Sequence, residues 1–184
     1  MWNIVAVILV LAIVAIGLLE VYQSYESGTT AQSGQDLITE VSSTIANLQT
    51  VYGQSPNFSG FGNATPYNVG ATPSDWSGTG SGAYTLASGG TVTFKAATTA
   101  VNGATPTQPN GYAMVFAGLS QGQCAALADY NVPEMATSTV NGNTSTNPAY
   151  TKGAATTGAT GWPPALAASC RPGGVNAITY TIIG

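Results

Sequence analysis

Apolar residues are spaced in three different ways along this chain. Between Ile4 and Leu19 almost every side chain is apolar, and Glu20 closes the run. Between Gln35 and Tyr52 the apolar residues Leu37, Ile38, Val41, Ile45, Leu48 and Tyr52 recur at intervals of three and four, with Asp36, Glu40, Ser43, Asn47 and Gln49 among them. Beyond Ala83 short stretches alternate apolar and polar residue by residue, as in strands with one buried face.

The first two patterns predict one long helix over residues 1–52 in two chemical halves, apolar all round and then on one face only. Its weak points are Gly17 and Ser27-Gly28, since glycine costs about 1 kcal/mol in a helix relative to alanine. It ends in "YGQSP", where Gly53 is placed to cap the helix and Pro56 follows. The chain is therefore expected to divide into a hydrophobic helix, residues 1–28, and a globular head, residues 29–184, that includes the amphipathic half. Leu37, Ile38, Val41, Ile45, Leu48 and Tyr52 are the positions expected to pack that half onto the head.

From Ser55 to Gly82 no period survives, and the segment reads as a packed loop into which Phe58, Phe61, Tyr67, Val69 and Trp76 dip. "AYTLASGGTVTFKA" then predicts two strands about a Ser88-Gly89-Gly90 turn, with Val92 and Phe94 on one face and Thr91, Thr93 and Lys95 on the other. "GYAMVFAG" predicts a third strand with Tyr112, Met114 and Phe116 on one side, and "NAITYTIIG" a fourth. Together these make an α+β fold with a four-stranded antiparallel sheet.

Between the third and fourth strands, Ser120 followed by Gln123 is a capping-box pattern. It opens a short helix with Cys124, Leu127 and Ala128 on one face. Cys170 stands just before the final strand. Two cysteines in an extracytoplasmic chain pair most simply with each other, and the loop so closed is worth roughly 3 to 4 kcal/mol. The alternative is two unrelated buried thiols; no CxxC or Cys/His set points to redox or metal work.

Composition narrows the function. Charged residues are only 5% of the chain, histidine is absent, and the net charge is −4 with three lysines and arginines in all. Such a chain cannot cluster the cations that phosphate neutralisation needs, so nucleic acid is not a primary partner. Globular proteins carry about 25% charged residues, and the depletion, with many Thr, Ser, Asn and Gly, points to an extracytoplasmic life. Without histidine no Ser-His-Asp or Cys-His arrangement can form. Asp36 and Glu40 lie one helical turn apart with nothing to join them, and are expected to face solvent or a neighbour, so no enzyme activity, metal or cofactor is expected. Asn57, Asn63 and Asn143 open glycosylation-type triplets that this composition produces by chance. Trp76 and Trp162 read as lids on the core more readily than as receptor contacts.

As a helix, Met1 to Leu19 rises roughly 28 Å, close to the thickness of a hydrocarbon core. A secretory signal would carry a basic segment before the apolar run and a small-x-small site after it. Neither is there, and the first cationic side chain is Lys95. The run is expected to be retained, as in a chain already cut from a basic leader.

An apolar helix continuing into an amphipathic one, a variable loop, an antiparallel sheet and paired cysteines around a short helix resemble a bacterial type IV pilin over the whole chain. "LSQGQCAALA" and the long segment between the cysteines are most similar to the type IVb branch, which includes conjugative thin pili. The resemblance implies the type IV pilin fold, a long N-terminal α-helix on a four-stranded head with a C-terminal disulfide loop. It implies that Met1, Ile4, Val5, Val7, Ile8, Leu9, Val10, Leu11, Ile13, Val14, Ile16, Leu18 and Leu19 serve first as membrane helix and then as filament core. The implied partners are identical subunits, the inner membrane before assembly, a prepilin peptidase, the assembly machinery and a host or cell-surface receptor. The chain departs from the family at position 5, where most type IV pilins carry a glutamate that pairs with a neighbour's amine. Here Val5 stands in its place, so backbone carbonyls, Asn3 or deprotonation must accommodate that amine. Tyr22 also stands where many type IVa pilins have proline.

The expected function is that of a major pilin, a structural subunit polymerising into an extracellular pilus for adhesion, conjugation or motility. The alternative is a minor pilin or a pseudopilin of a type II secretion-like system, a membrane-anchored periplasmic protein. Display of a carbohydrate- or receptor-binding module on the head is compatible with the first reading.

Overall fold

The computed structural model describes residues 33–53, 55, 57–130, 132–147 and 166–184. The run from Met1 to Leu19, the Ser27-Gly28 break, Pro56 and Trp162 lie outside the described residues. Helix α1 covers 33–52 of these, and its last turn closes with Gly53 N–H donating to Gln49 O at 2.8 Å. Two short helices follow, α2 (Ala64–Asn68) and α3 (Gln121–Ala128). The strands are β1 (Tyr84–Thr85), β2 (Thr91–Ala97), β3 (Gly111–Leu119), β4 (Met135–Val140), β5 (Asn143–Thr146) and β6 (Asn176–Ile183).

All six strands form one antiparallel sheet in the order β1-β2-β3-β6-β4-β5. The four-strand expectation is corrected here, because the segment between the cysteines contributes the hairpin β4–β5. Its sequence, "MATSTVNGNTST", hides the period. Threonine is β-branched and suits a pleated strand without being apolar, and the buried position midway along β4 is Ser138 rather than a hydrophobe. The turn between them was written in Asn141-Gly142, both with positive φ (49° and 91°), the pairing that two-residue hairpins prefer.

Register fixes which side chains share a face. Val92 pairs with Phe116 and Phe116 with Ile178; Phe94 pairs with Met114, Met114 with Tyr180 and Tyr180 with Ser138. These buried residues turn toward the core, where α1 contributes Leu37, Val41, Ile45 and Leu48, all buried. Ile38 and Tyr52 sit at the margin of this core, half-buried. The opposite face follows the same register through Thr93, Val115, Thr179, Thr139 and Thr144, so the outer sheet surface is largely threonine.

Two close approaches depend on glycine. At Gly34 an added Cβ would stand 2.8 Å from the Ala126 Cβ, so small side chains let α1 lie against α3. Gly118 (φ +75°) lies where the β3–β6 register shifts, and the Gly90 Cα would stand 3.2 Å from a Cβ added there. Gly90 (φ +84°) would itself drive a Cβ to 2.7 Å from Ala117 O, so the β1–β2 turn and the irregularity in β3 tolerate only glycine.

Candidate functional site

Two structures flank the α1–sheet sandwich, and each is built from a stretch that the chain's periodicity leaves unexplained. The first comes from the loop between α1 and β1. Phe58, Phe61 and Trp76 are buried, Val69 packs at the margin, and Tyr67, expected in the core, is 50% exposed. Phe61 stacks on Tyr112 with ring centroids 4.9 Å apart, and Tyr52 meets Phe61 edge-on at 5.4 Å. Trp76 lies against Tyr84 and Phe94 and is only 5% exposed, so it is a lid and not a free contact surface.

The Trp76 indole N–H donates to Glu40 Oε2 at 2.7 Å. Glu40 therefore ties α1 to the loop, which corrects the expectation that it faces solvent or a neighbour unjoined. Asn63 is consumed in the same way, its Oδ1 accepting from Phe94 N–H and its carbonyl from the Tyr84 hydroxyl, both at 2.5 Å.

The second structure surrounds the cysteines. Ser120 Oγ accepts from Gln123 N–H at 3.3 Å while Gln123 Oε1 accepts from Ser120 N–H at 2.8 Å, closing the capping box that starts α3. The same Gln123, 2% exposed, donates through Nε2 to Ser88 O at 2.8 Å and so fastens the helix to the β1–β2 turn. Cys124 is bonded to Cys170 across a separation of 46 residues, with the Cα atoms 5.8 Å apart.

Beside the disulfide, Asn176 is fully buried and acts as a hub. Its Oδ1 accepts from Asn141 Nδ2 and Arg171 N–H, each at 2.8 Å. Its Nδ2 lies 3.2 to 3.3 Å from the carbonyls of Arg171, Leu119 and Gly174. Asn141 completes the link, donating to Ser169 O at 2.8 Å and accepting from Ala177 N–H at 3.0 Å. One asparagine pair thus joins the β4–β5 turn, the 3-10 turn Ala167–Ser169 and the start of β6. No periodicity announces Asn176; the Asn-Gly turn signal at Asn141 was the available clue.

The site chemistry is that of a packed structural head. Burial pushes the Tyr180 phenol well above its ordinary range, and its hydroxyl donates to Leu127 O at 2.5 Å. Burial likewise raises Tyr112, with the nearby Glu134 carboxylate adding to the effect. Among the described residues no group of three or more His, Cys, Asp or Glu side chains could hold a metal. A groove of about 110 Å³ beside Tyr52, Phe58, Phe61 and Thr65 is smaller than the ~300 Å³ or more of small-molecule sites. Among the described residues no helix is long and apolar enough to cross a membrane.

A helix laid across an antiparallel sheet, an aromatic loop on one flank and a disulfide-bounded segment on the other define a pilin head. The model of the Bundlin family matches residues 26–181, and the chain belongs to that family of type IVb pilins. It is accordingly a structural subunit of an extracellular type IV pilus, a filament of identical subunits. Residues 1–25 precede the matched region. No curated protein matches the chain. The structure is similar to that of a type IVb pilin from Salmonella typhi, at a TM-score of 0.48 and 19% identity, covering 85% of this chain and 99% of that one.

Proposed function

We propose that residues 1–28 anchor the subunit in the inner membrane before assembly and form the filament core afterwards, while residues 29–184 tile the exterior as the bulk component of the pilus. The observation that carries this reading is the uncharged stretch from Met1 to Leu19 ahead of an amphipathic helix that already belongs to the head. Membrane and filament core are both dry, so one all-round apolar surface serves in each without refolding, and the absence of side-chain charge spares both states the cost of burying one. Transfer from lipid to filament then requires prepilin processing and an external assembly machine. Contact with a host or cell-surface receptor falls to the head.

The test is Val10→Asp. At the bilayer centre the carboxylate costs about 2.5 to 3.5 kcal/mol. In the filament the cost recurs in every subunit with no lipid to rearrange around it. Subunit in the membrane fraction should persist while sheared surface filaments fall sharply. Normal filaments would show that Val10 is not in a tightly packed core and would favour the membrane-anchored periplasmic alternative.

A further inference from the structure

The chain contains three Asn-Gly dipeptides in its head, at 102–103, 110–111 and 141–142. This dipeptide is chemically weak, because a glycine without Cβ leaves its backbone nitrogen free to approach the carboxamide carbon of the preceding asparagine. The fold treats the three very differently. Asn110 is held at both ends by one residue, Nδ2 donating to Thr99 O at 3.0 Å and Oδ1 accepting from Thr99 N–H at 2.9 Å, and Gly111 is locked into β3 opposite Ile183. Asn141 spends both side-chain atoms on Ser169, Asn176 and Ala177, at 2.8 to 3.0 Å.

Asn102 has no such restraint. It and Gly103 form the exposed tip of a turn with positive φ at both positions, 53° and 78°. The turn is closed only by the mutual Val101–Ala104 backbone pair at 3.0 Å, a bridge outside the sheet's ladders. Among the described residues no hydrogen bond holds the Asn102 carboxamide.

We infer that Asn102 is a site of spontaneous deamidation. The Gly103 nitrogen attacks Cγ of Asn102, forming the N–C bond of a five-membered succinimide. The side-chain nitrogen leaves as ammonia, taking up the proton released from the Gly103 amide. Water then adds across either imide C–N bond, hydroxyl to carbon and proton to nitrogen, leaving aspartate or isoaspartate at position 102. No oxidant or reductant takes part. The product adds one negative charge to an exposed turn of a chain whose net charge is −4, so a filament acquires charge with age, subunit by subunit, at a fixed place on the head.

The experiment uses the full chain in detergent with its disulfide intact, incubated in mildly alkaline, ammonia-free buffer and followed by peptide mapping for the amide-to-acid mass increase. In the folded protein Asn102 should convert roughly tenfold or more faster than Asn110 and Asn141, whose reaction must wait for local opening. In the reduced, denatured chain the three rates should converge. Equal rates in the folded protein would overturn the inference, as would an Asn102 preference that survives denaturation, since the fold would then not be its cause. Asn102→Gln should abolish the early acidic species on isoelectric focusing; its persistence would place the reaction elsewhere.

Discussion

Strands β1 to β3 are covered by Trp76, Phe58 and Phe61, which meet Tyr84, Phe94 and Tyr112 ring to ring. At the other end of the same sheet β5 is exposed at three of its four positions, and its contribution to the core is small. The aromatic side is held chiefly by burial, with the Trp76–Glu40 bond tying α1 to the loop and Asn63 tying the loop to Tyr84 and Phe94. The hairpin side is held by the Cys124–Cys170 bond and the Asn141–Asn176 pair. The difference follows from composition. A strand of Thr, Ser and Asn removes little apolar area from water, worth about 25 cal/mol per Å², so its attachment has to come from a covalent loop constraint and from buried hydrogen bonds that are costly to break.

That contrast can be tested in descending order of effect. Replacing both cysteines with serine removes the constraint on a 46-residue separation and should cost about 4 kcal/mol in denaturant unfolding, with early loss of hydrogen-exchange protection in β4 and β5. Protection lost equally in β1 and β2 would erase the distinction between the halves. Asn176→Ala leaves the Asn141 amide and three carbonyls short of a partner and should cost about 3 kcal/mol. A cost as small as that of a surface substitution would mean that water replaces the hub freely. Trp76→Phe keeps most of the buried ring but deprives Glu40 of its donor, for about 1.5 kcal/mol. Glu40→Gln, which can still accept from the indole, should recover part of that stability in the wild-type background relative to Glu40→Ala. Ser120→Ala opens the capping box and should cost about 1 kcal/mol, seen as faster exchange at Gln123 and Cys124 amides.

How far the fold could be read from residues alone depended on how each element buries its surface. The three-and-four spacing of α1 was legible because its inner face is purely aliphatic at Leu37, Val41, Ile45 and Leu48. β2, β3 and the last strand were legible because Val92, Phe94, Met114, Phe116, Ile178 and Ile182 alternate with small or hydroxylated residues. The capping box of α3 was legible because Ser120 and Gln123 satisfy each other locally. β4 and β5 were not, since hydroxylated residues fill the middle of β4 and most of β5, and the asparagine and disulfide contacts around them come from partners distant in sequence. Tyr67 was misplaced for a related reason: an aromatic in a loop is counted toward the core by size, whereas the turn at α2 directs this one outward. Glu40 was misread because its partner, the indole of Trp76, lies 36 positions away.

The strand order carries a further consequence for how the head comes into being. β6 lies between β3 and β4, yet it is last of the six in chain order. A chain emerging from its amino end can form the β1–β2–β3 meander and, separately, the β4–β5 hairpin, but the two have no shared ladder until residues 176–183 arrive. Until then the inner edges of β3 and β4 are both open, and open edges pair readily with other chains. Productive folding and premature association between subunits are therefore in competition for the same two edges, and the timing of one eight-residue strand decides between a finished subunit and an aggregate.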